Sequence, residues 1–125
     1  MNSDLIVHIT TERAWLGAMS QGAYTADSLE TEGFIHCSTP AQVIWVANMR
    51  FRGRTDLVLL HIDPTRLDAR IVYENLEGGE QLFPHVYGAI PISAVVDVTP
   101  CRPSRDGAFD ASQLPELTED DGETD

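Results

Sequence analysis

The chain contains no lysine: all eight basic residues are arginines, set against twenty acidic ones. A Schiff-base lysine and a Walker-type phosphate loop are therefore both excluded. Any phosphate contact has to come from arginine, backbone N–H groups or a helix N-terminus. Cysteine is equally scarce. Cys37 and Cys101 are the two in the chain, too few for a disulfide scaffold and not spaced as C-x-x-C. They are expected to be reduced, buried thiols of a cytoplasmic protein. No apolar run approaches the ~20 residues that a membrane helix needs; the longest are of the size of Leu57–Leu60. The start, Met1-Asn2-Ser3-Asp4, lacks the basic and long apolar regions of a signal peptide, so none is expected.

What is present is acidic. The formal net charge is −12 over 125 residues, and Glu116, Glu119, Asp120, Asp121, Glu123 and Asp125 supply six of the negative charges. The remainder still stands at −6, which argues against a module that tracks nucleic-acid backbone and against an anionic membrane surface. The length fits one domain and allows a core without staples. We expect a single α+β domain over residues 1–101, a C-terminal extension over 102–115 in which Phe109 and Leu114 can still dock, and an acidic disordered tail over 116–125, where aromatic residues are absent.

Local patterns place the elements. Leu5-Ile6-Val7-His8-Ile9 reads as a first strand. Thr10 or Thr11 can cap a helix over residues 11–21, whose face carries Trp15, Ala18 and Met19 and whose stop is Gly22. Residues 22–32 read as a loop. Phe34–Cys37 is a second strand. Thr39-Pro40-Ala41-Gln42 opens a helix as a capping box with proline in the first turn, and Val43, Ile44, Val46, Ala47 and Phe51 give it a broad apolar face ending near Gly53. Leu57–Ile62 and Ile71–Glu74 are further strands, and Gly78-Gly79 breaks the chain as a hairpin loop. Gln81–Phe83 is a short strand that Pro84 halts. Pro91–Ala94 forms a helical turn, and Val95–Thr99 is the last strand. Helices fall early and strands late without strict βαβ alternation, which favours a largely antiparallel sheet.

Four histidines carry the chemical interest. His8, His36 and His85 lie at strand ends or corners, positions from which they can converge on one cleft and exchange protons near neutrality. The plain alternative is that each satisfies a buried backbone group. His61, in mid-strand, reads as structural or exposed. Three histidines also invite a zinc centre, but there is no HExxH or i, i+4 pair, and no metal is expected. Glu74, at a strand end beside Tyr73, is a candidate base or stabiliser of a developing cation; otherwise it is a strand-edge charge. Cys37 points away from its neighbour His36 and reads as core. Ser38 returns to the side of His36. Arg50, Arg52 and Arg54 read as solvated charge at a helix end, one of which could reach a phosphate. Trp15 and Trp45 read as core or pocket wall.

Together, His8-Ile9-Thr10, Gly33-Phe34-Ile35-His36-Cys37-Ser38, Asp56-Leu57-Val58-Leu59-Leu60, Glu74 and Phe83-Pro84-His85-Val86-Tyr87-Gly88 resemble the bacterial family called domain of unknown function 952. The resemblance runs from about Leu5 to Val98. It implies a fold similar to that of the ADP-ribosyltransferases, a split, mostly antiparallel sheet with a few helices around an NAD-binding cleft. On that likeness His8 takes the place of the residue that contacts the ribose, His36 or Ser38 that of the second-strand cleft residue, and Glu74 that of the late glutamate. His8, His36, Glu74 and His85 are then expected to be catalytic, with Thr10, Ser38 and Tyr87 holding the cofactor. The implied partner is a small-molecule or nucleotide ligand, NAD foremost. The implied activity is that of an NAD-using transferase or hydrolase, or else of a non-catalytic binding module that keeps the cleft; a His-ligated metal enzyme is the third alternative.

Overall fold

The computed structural model describes residues 5–75 and 81–110. Two strands with apolar residues on both faces form its centre. β1 (Ile6–Thr11) and β4 (Leu57–Ile62) pair in antiparallel fashion, with His8 opposite Leu60 and Ile6 opposite Ile62. Every residue of β4 is buried, as expected of a strand covered on both sides. On one side Ile6, Leu60 and Ile62 meet Trp15 and Ala18 of α1 (Glu12–Gln21). On the other, Val7, Ile9, Leu57 and Leu59 meet Val43 and Ala47 of α3 (Pro40–Arg50), together with Cys101 and Phe109. Each large aliphatic side chain so buried contributes roughly 1.5–3 kcal/mol.

Local chemistry explains both long helices. Thr11 Oγ1 accepts from the Ala14 N–H at 3.0 Å at the start of α1, and Gly22 ends that helix with φ +89°. At the start of α3 the Gln42 side chain accepts from the Thr39 N–H at 3.0 Å, with Pro40 in the first turn.

Among the described residues three antiparallel sheets result: β1-β4-β8, with β8 over Val95–Cys101; the pair β2 (Ala23–Tyr24) and β7 (Ile90–Pro91); and β3 (Ile35–His36), β6 (Phe83–Val86) and β5 (Ile71–Glu74), in that order. The first and third are stitched by one bridge, Val7 to Ser38, whose two backbone hydrogen bonds are both 2.8 Å. The expectation of an α+β domain with a split, mostly antiparallel sheet and few helices agrees with this architecture.

Several local expectations need correction. Residues 22–32 are not a plain loop: they hold β2 (Ala23–Tyr24), paired with β7 (Ile90–Pro91), and the short α2 (Asp27–Thr31). The strand expected to stop at Pro84 is β6 (Phe83–Val86), which runs through it between β3 (Ile35–His36) and β5 (Ile71–Glu74). The Pro84 carbonyl still accepts from the Cys37 N–H at 3.0 Å, so the ladder loses a donor and not the strand. β8 (Val95–Cys101) likewise passes Pro100, which an edge strand tolerates. The Gly78-Gly79 loop, Leu114 and the acidic tail lie outside the described residues. Phe109 is 2% exposed in the α3-side core, and its backbone N–H and C=O bond the Asn48 side chain. Both cysteines are buried free thiols, and no helix among the described residues is long and apolar enough to cross a membrane.

Candidate functional site

The seam between the two larger sheets opens into a cleft of about 860 Å³ bordered by His8, His36, Ser38, Glu74 and His85, with Trp45, Met49, Arg50 and Phe83 among the other walls. The period of two along a strand explains the grouping. His36 pairs with His85 across β3 and β6, and His85 pairs in turn with Val72 of β5, while Glu74 faces Phe83. Phe34, His36, Phe83, His85, Tyr87 and Glu74 therefore share one face of that sheet. Cys37 packs in the core and also borders the cleft; burial pushes its thiol well up.

His8 reaches the seam from the middle of β1 and not from a strand end beside a helix N-terminus, because β1 continues to Thr11. It is 8% exposed and both ring nitrogens are used. Nδ1 lies 2.6 Å from the His36 carbonyl oxygen, which can only accept, so Nδ1 carries the proton. Nε2 lies 2.9 Å from the Tyr24 hydroxyl, which shares a further 2.9 Å hydrogen bond with Thr10 Oγ1. Hydroxyl hydrogens rotate to suit, so a neutral His8 accepts from Tyr24 while Thr10 donates to the tyrosine oxygen. Burial outweighs the carbonyl bond and lowers the His8 pKa to about 4, which keeps the ring neutral. Burial also raises the Tyr24 pKa, so the phenol keeps its proton.

Glu74 is held differently. Tyr87 donates its hydroxyl to Glu74 Oε2, and His85 Nδ1 lies 3.1 Å from the same oxygen. The tyrosine bond first, and then the histidine, hold the Glu74 carboxyl below its ordinary range, so it is ionised at neutral pH; the same bond raises the Tyr87 pKa. Both donors go to Oε2. Because a carboxylate only accepts, Nδ1 of His85 carries a proton, which leaves Nε2 as the ring nitrogen able to accept one. Among the described residues no side chain bonds Nε2, and His85 borders the cleft. Phe34 lies against His85 at 4.2 Å between centroids and 14° between planes, and Arg70 covers the Tyr87 ring at 4.9 Å. These contacts fix the imidazole and the phenol. His36 stands edge-on to His85 at 5.2 Å, with its Nε2 3.2 Å from Glu32 Oε1.

The cleft thus gathers His8, His36, Ser38, Glu74 and His85; Thr10 lies behind His8 through Tyr24, and Tyr87 lies behind Glu74. His61 stays apart: it is buried, 2.9 Å from Thr99 Oγ1, and burial lowers its pKa. Arg54 makes a two-pronged pair with Asp56 on the surface, and Arg50, which is not without a partner, borders the cleft. Trp15 is core and Trp45 is cleft wall. Sequence reasoning missed Tyr24, Phe34 and Glu32 as partners of the histidines. Tyr24 carried a signal, being the sole aromatic residue in a stretch otherwise read as loop. No group of three or more His, Cys, Asp or Glu among the described residues is arranged to hold a metal ion.

Comparison with known proteins agrees with the motifs. The crystal structure of protein CC0527 from Caulobacter crescentus is 30% identical, with a TM-score of 0.80 over 91% of this chain and 98% of that one. The solution structure of the same protein is also 30% identical, with a TM-score of 0.77 over 90% and 97% of the two chains. Neither structure is described as an ADP-ribosyltransferase. No curated protein matches the chain. A family model described as protein of unknown function (DUF952) matches residues 9–98, and with its motifs gathered around one cleft the chain belongs to that family.

Proposed function

We propose that the cleft binds an ADP-ribosyl nucleotide, NAD foremost, and that the protein is a transferase or hydrolase that breaks its N-glycosidic bond. The observation that carries this reading is the Glu74–His85 pair. A carboxylate that fixes the proton on Nδ1 of an imidazole and leaves Nε2 able to accept one is the arrangement of a general base. Among the described residues both bonds to Glu74 fall on Oε2, and in this reading Oε1 meets a ligand hydroxyl and the positive charge developing on a sugar ring.

The donor set suits such a substrate. Trp45, Met49 and Phe83 offer apolar wall for flat rings, and His36 and Ser38 offer polar groups. The cleft volume lies within the usual range for ligand sites of roughly 300–1,000 Å³. In hydrolysis, His85 Nε2 takes the proton of the attacking water as the water oxygen bonds the ribose C1′. The bond from C1′ to the pyridine nitrogen breaks and its electron pair leaves with nicotinamide. Glu74 stabilises the oxocarbenium-like transition state electrostatically and is too weak a base to take the proton itself. In transfer, an acceptor hydroxyl replaces the water. The likeness to ADP-ribosyltransferases suggested by the sequence belongs to this proposal, with one change of role: His8, with both nitrogens bonded inside the protein, braces the seam and does not grip the ribose.

The test is nicotinamide release from NAD by the full chain. Loss of a general base costs typically 10²–10⁴-fold, so His85→Ala is expected to lose at least about 100-fold, and Glu74→Gln to lose rate with little change in KM. Saturable NAD binding with no release in the wild type favours the second reading, a binding module without chemistry, which the full internal use of His8 also suits. Absence of both binding and release overturns the proposal.

A further inference from the structure

The aromatic wall of the cleft is built more deliberately than packing requires. Trp45 is 51% exposed although it borders the cleft, whereas Trp15, the other tryptophan, is buried. Its ring lies nearly parallel to that of Phe83, at 21° between planes and 6.3 Å between centroids. The two rings come from different elements, α3 and β6, and are tied together. Gln42, one helical turn before Trp45, donates from Nε2 to the Leu82 carbonyl at 2.9 Å and to Gln81 Oε1 at 3.2 Å. The helix that carries Trp45 is thus pinned to the backbone that leads into Phe83. Phe83 in turn faces Glu74 across the β5–β6 ladder. A pre-oriented pair of nearly parallel rings, the half-exposed Trp45 and the partly buried Phe83, beside an ionised carboxylate has a use that a core residue lacks.

We propose that Trp45 and Phe83 form a stacking subsite for a planar nitrogen heterocycle joined to a sugar, so that one base of the nucleotide lies on the Trp45 face of the cleft. This rests on the nucleotide reading above and narrows it. Flat heterocycles stack on aromatic faces with little dependence on their substituents, so the adenine and the pyridine ends of a dinucleotide are both of the required chemistry.

Trp45 is its own reporter, being the solvent-facing tryptophan of two. The full chain is titrated with AMP, with nicotinamide mononucleotide and with ribose 5-phosphate while tryptophan emission is followed. Saturable quenching of the solvent-exposed emission by either nucleotide, and none by ribose 5-phosphate, is the expected result; the nucleotide that quenches at lower concentration identifies the end that stacks. In Trp45→Leu, whose half-exposed side chain can be lost without opening the core, the quench disappears. NAD affinity, read from the His85 ring resonances, is expected to weaken by about 10-fold, within the range for loss of one stacking contact. If NAD moves the His85 resonances with the same midpoint in wild type and Trp45→Leu, and no nucleotide quenches the wild type, the subsite is wrong while the nucleotide site stands. If NAD moves neither reporter, the nucleotide reading fails and takes the subsite with it.

Discussion

A buried imidazole with both nitrogens bonded to acceptor and donor in turn has to stay neutral. His8 holds that state in the folded protein down to about pH 4, whereas in the unfolded chain it takes up a proton near 6.5. Between those values the unfolded state binds more protons, so stability falls as pH drops through the window; above it the contribution is complete. The loss amounts to roughly 3 kcal/mol across the window. Urea unfolding at stepped pH is expected to show this decline in the wild type and a shallower one in His8→Asn, which is less stable at pH 7. The slope in the variant is not abolished, because burial lowers the pKa of His61 as well. Parallel slopes in the two proteins would contradict the assignment. The sequence identified His8 as a residue of interest but not its bonding. The Tyr24 hydroxyl and the His36 carbonyl come from elements 16 and 28 residues away, and no local pattern encodes such partners.

At the scale of elements, local chemistry was legible where one motif decides an end. Thr11, Gly22, Pro40 and Gln42 fix the limits of α1 and α3, and the unbroken apolar run of β4 follows from its cover on both faces. It failed where pairing overrides propensity. β2 and β7 are two residues each and exist because they meet, and β6 runs through Pro84 because β3 and β5 flank it. The turn after β6 has a similar tertiary origin. A Cβ placed on Gly88 would sit 2.8 Å from Ala69 Cβ, so the loop before β5 and the end of β6 approach too closely for any side chain there. Gly88→Ala is therefore expected to destabilise the fold by about 1–3 kcal/mol and to disturb Tyr87, its neighbour and the strongest partner of Glu74. Combining it with Ala69→Gly should restore most of the loss in thermal unfolding, a non-additive result of two residues in contact. Unchanged stability in Gly88→Ala would show that the approach is looser than the structure has it.

For the whole molecule, the split of the sheet is what produces the cleft. One bridge at Val7 and Ser38 joins the two larger sheets, and the histidines of β1, β3 and β6 meet at that seam. The sequence pointed to His8, His36 and His85 as a group, yet their order of depth depends on register. His36 and His85 lie opposite each other on the cleft-facing side, and His8 lies within. The net acidity of the chain opposes an anionic ligand at long range, so in the nucleotide reading attraction has to be local. The most direct test follows the histidine ring resonances of the labelled protein during titration with NAD and with ADP-ribose. A nucleotide cleft here predicts saturable shifts of His36 and His85 with one shared midpoint and no movement of His61, which is buried against Thr99. Absence of saturable shifts at millimolar ligand would contradict it, leaving the fold and the family in place and the nucleotide site without support.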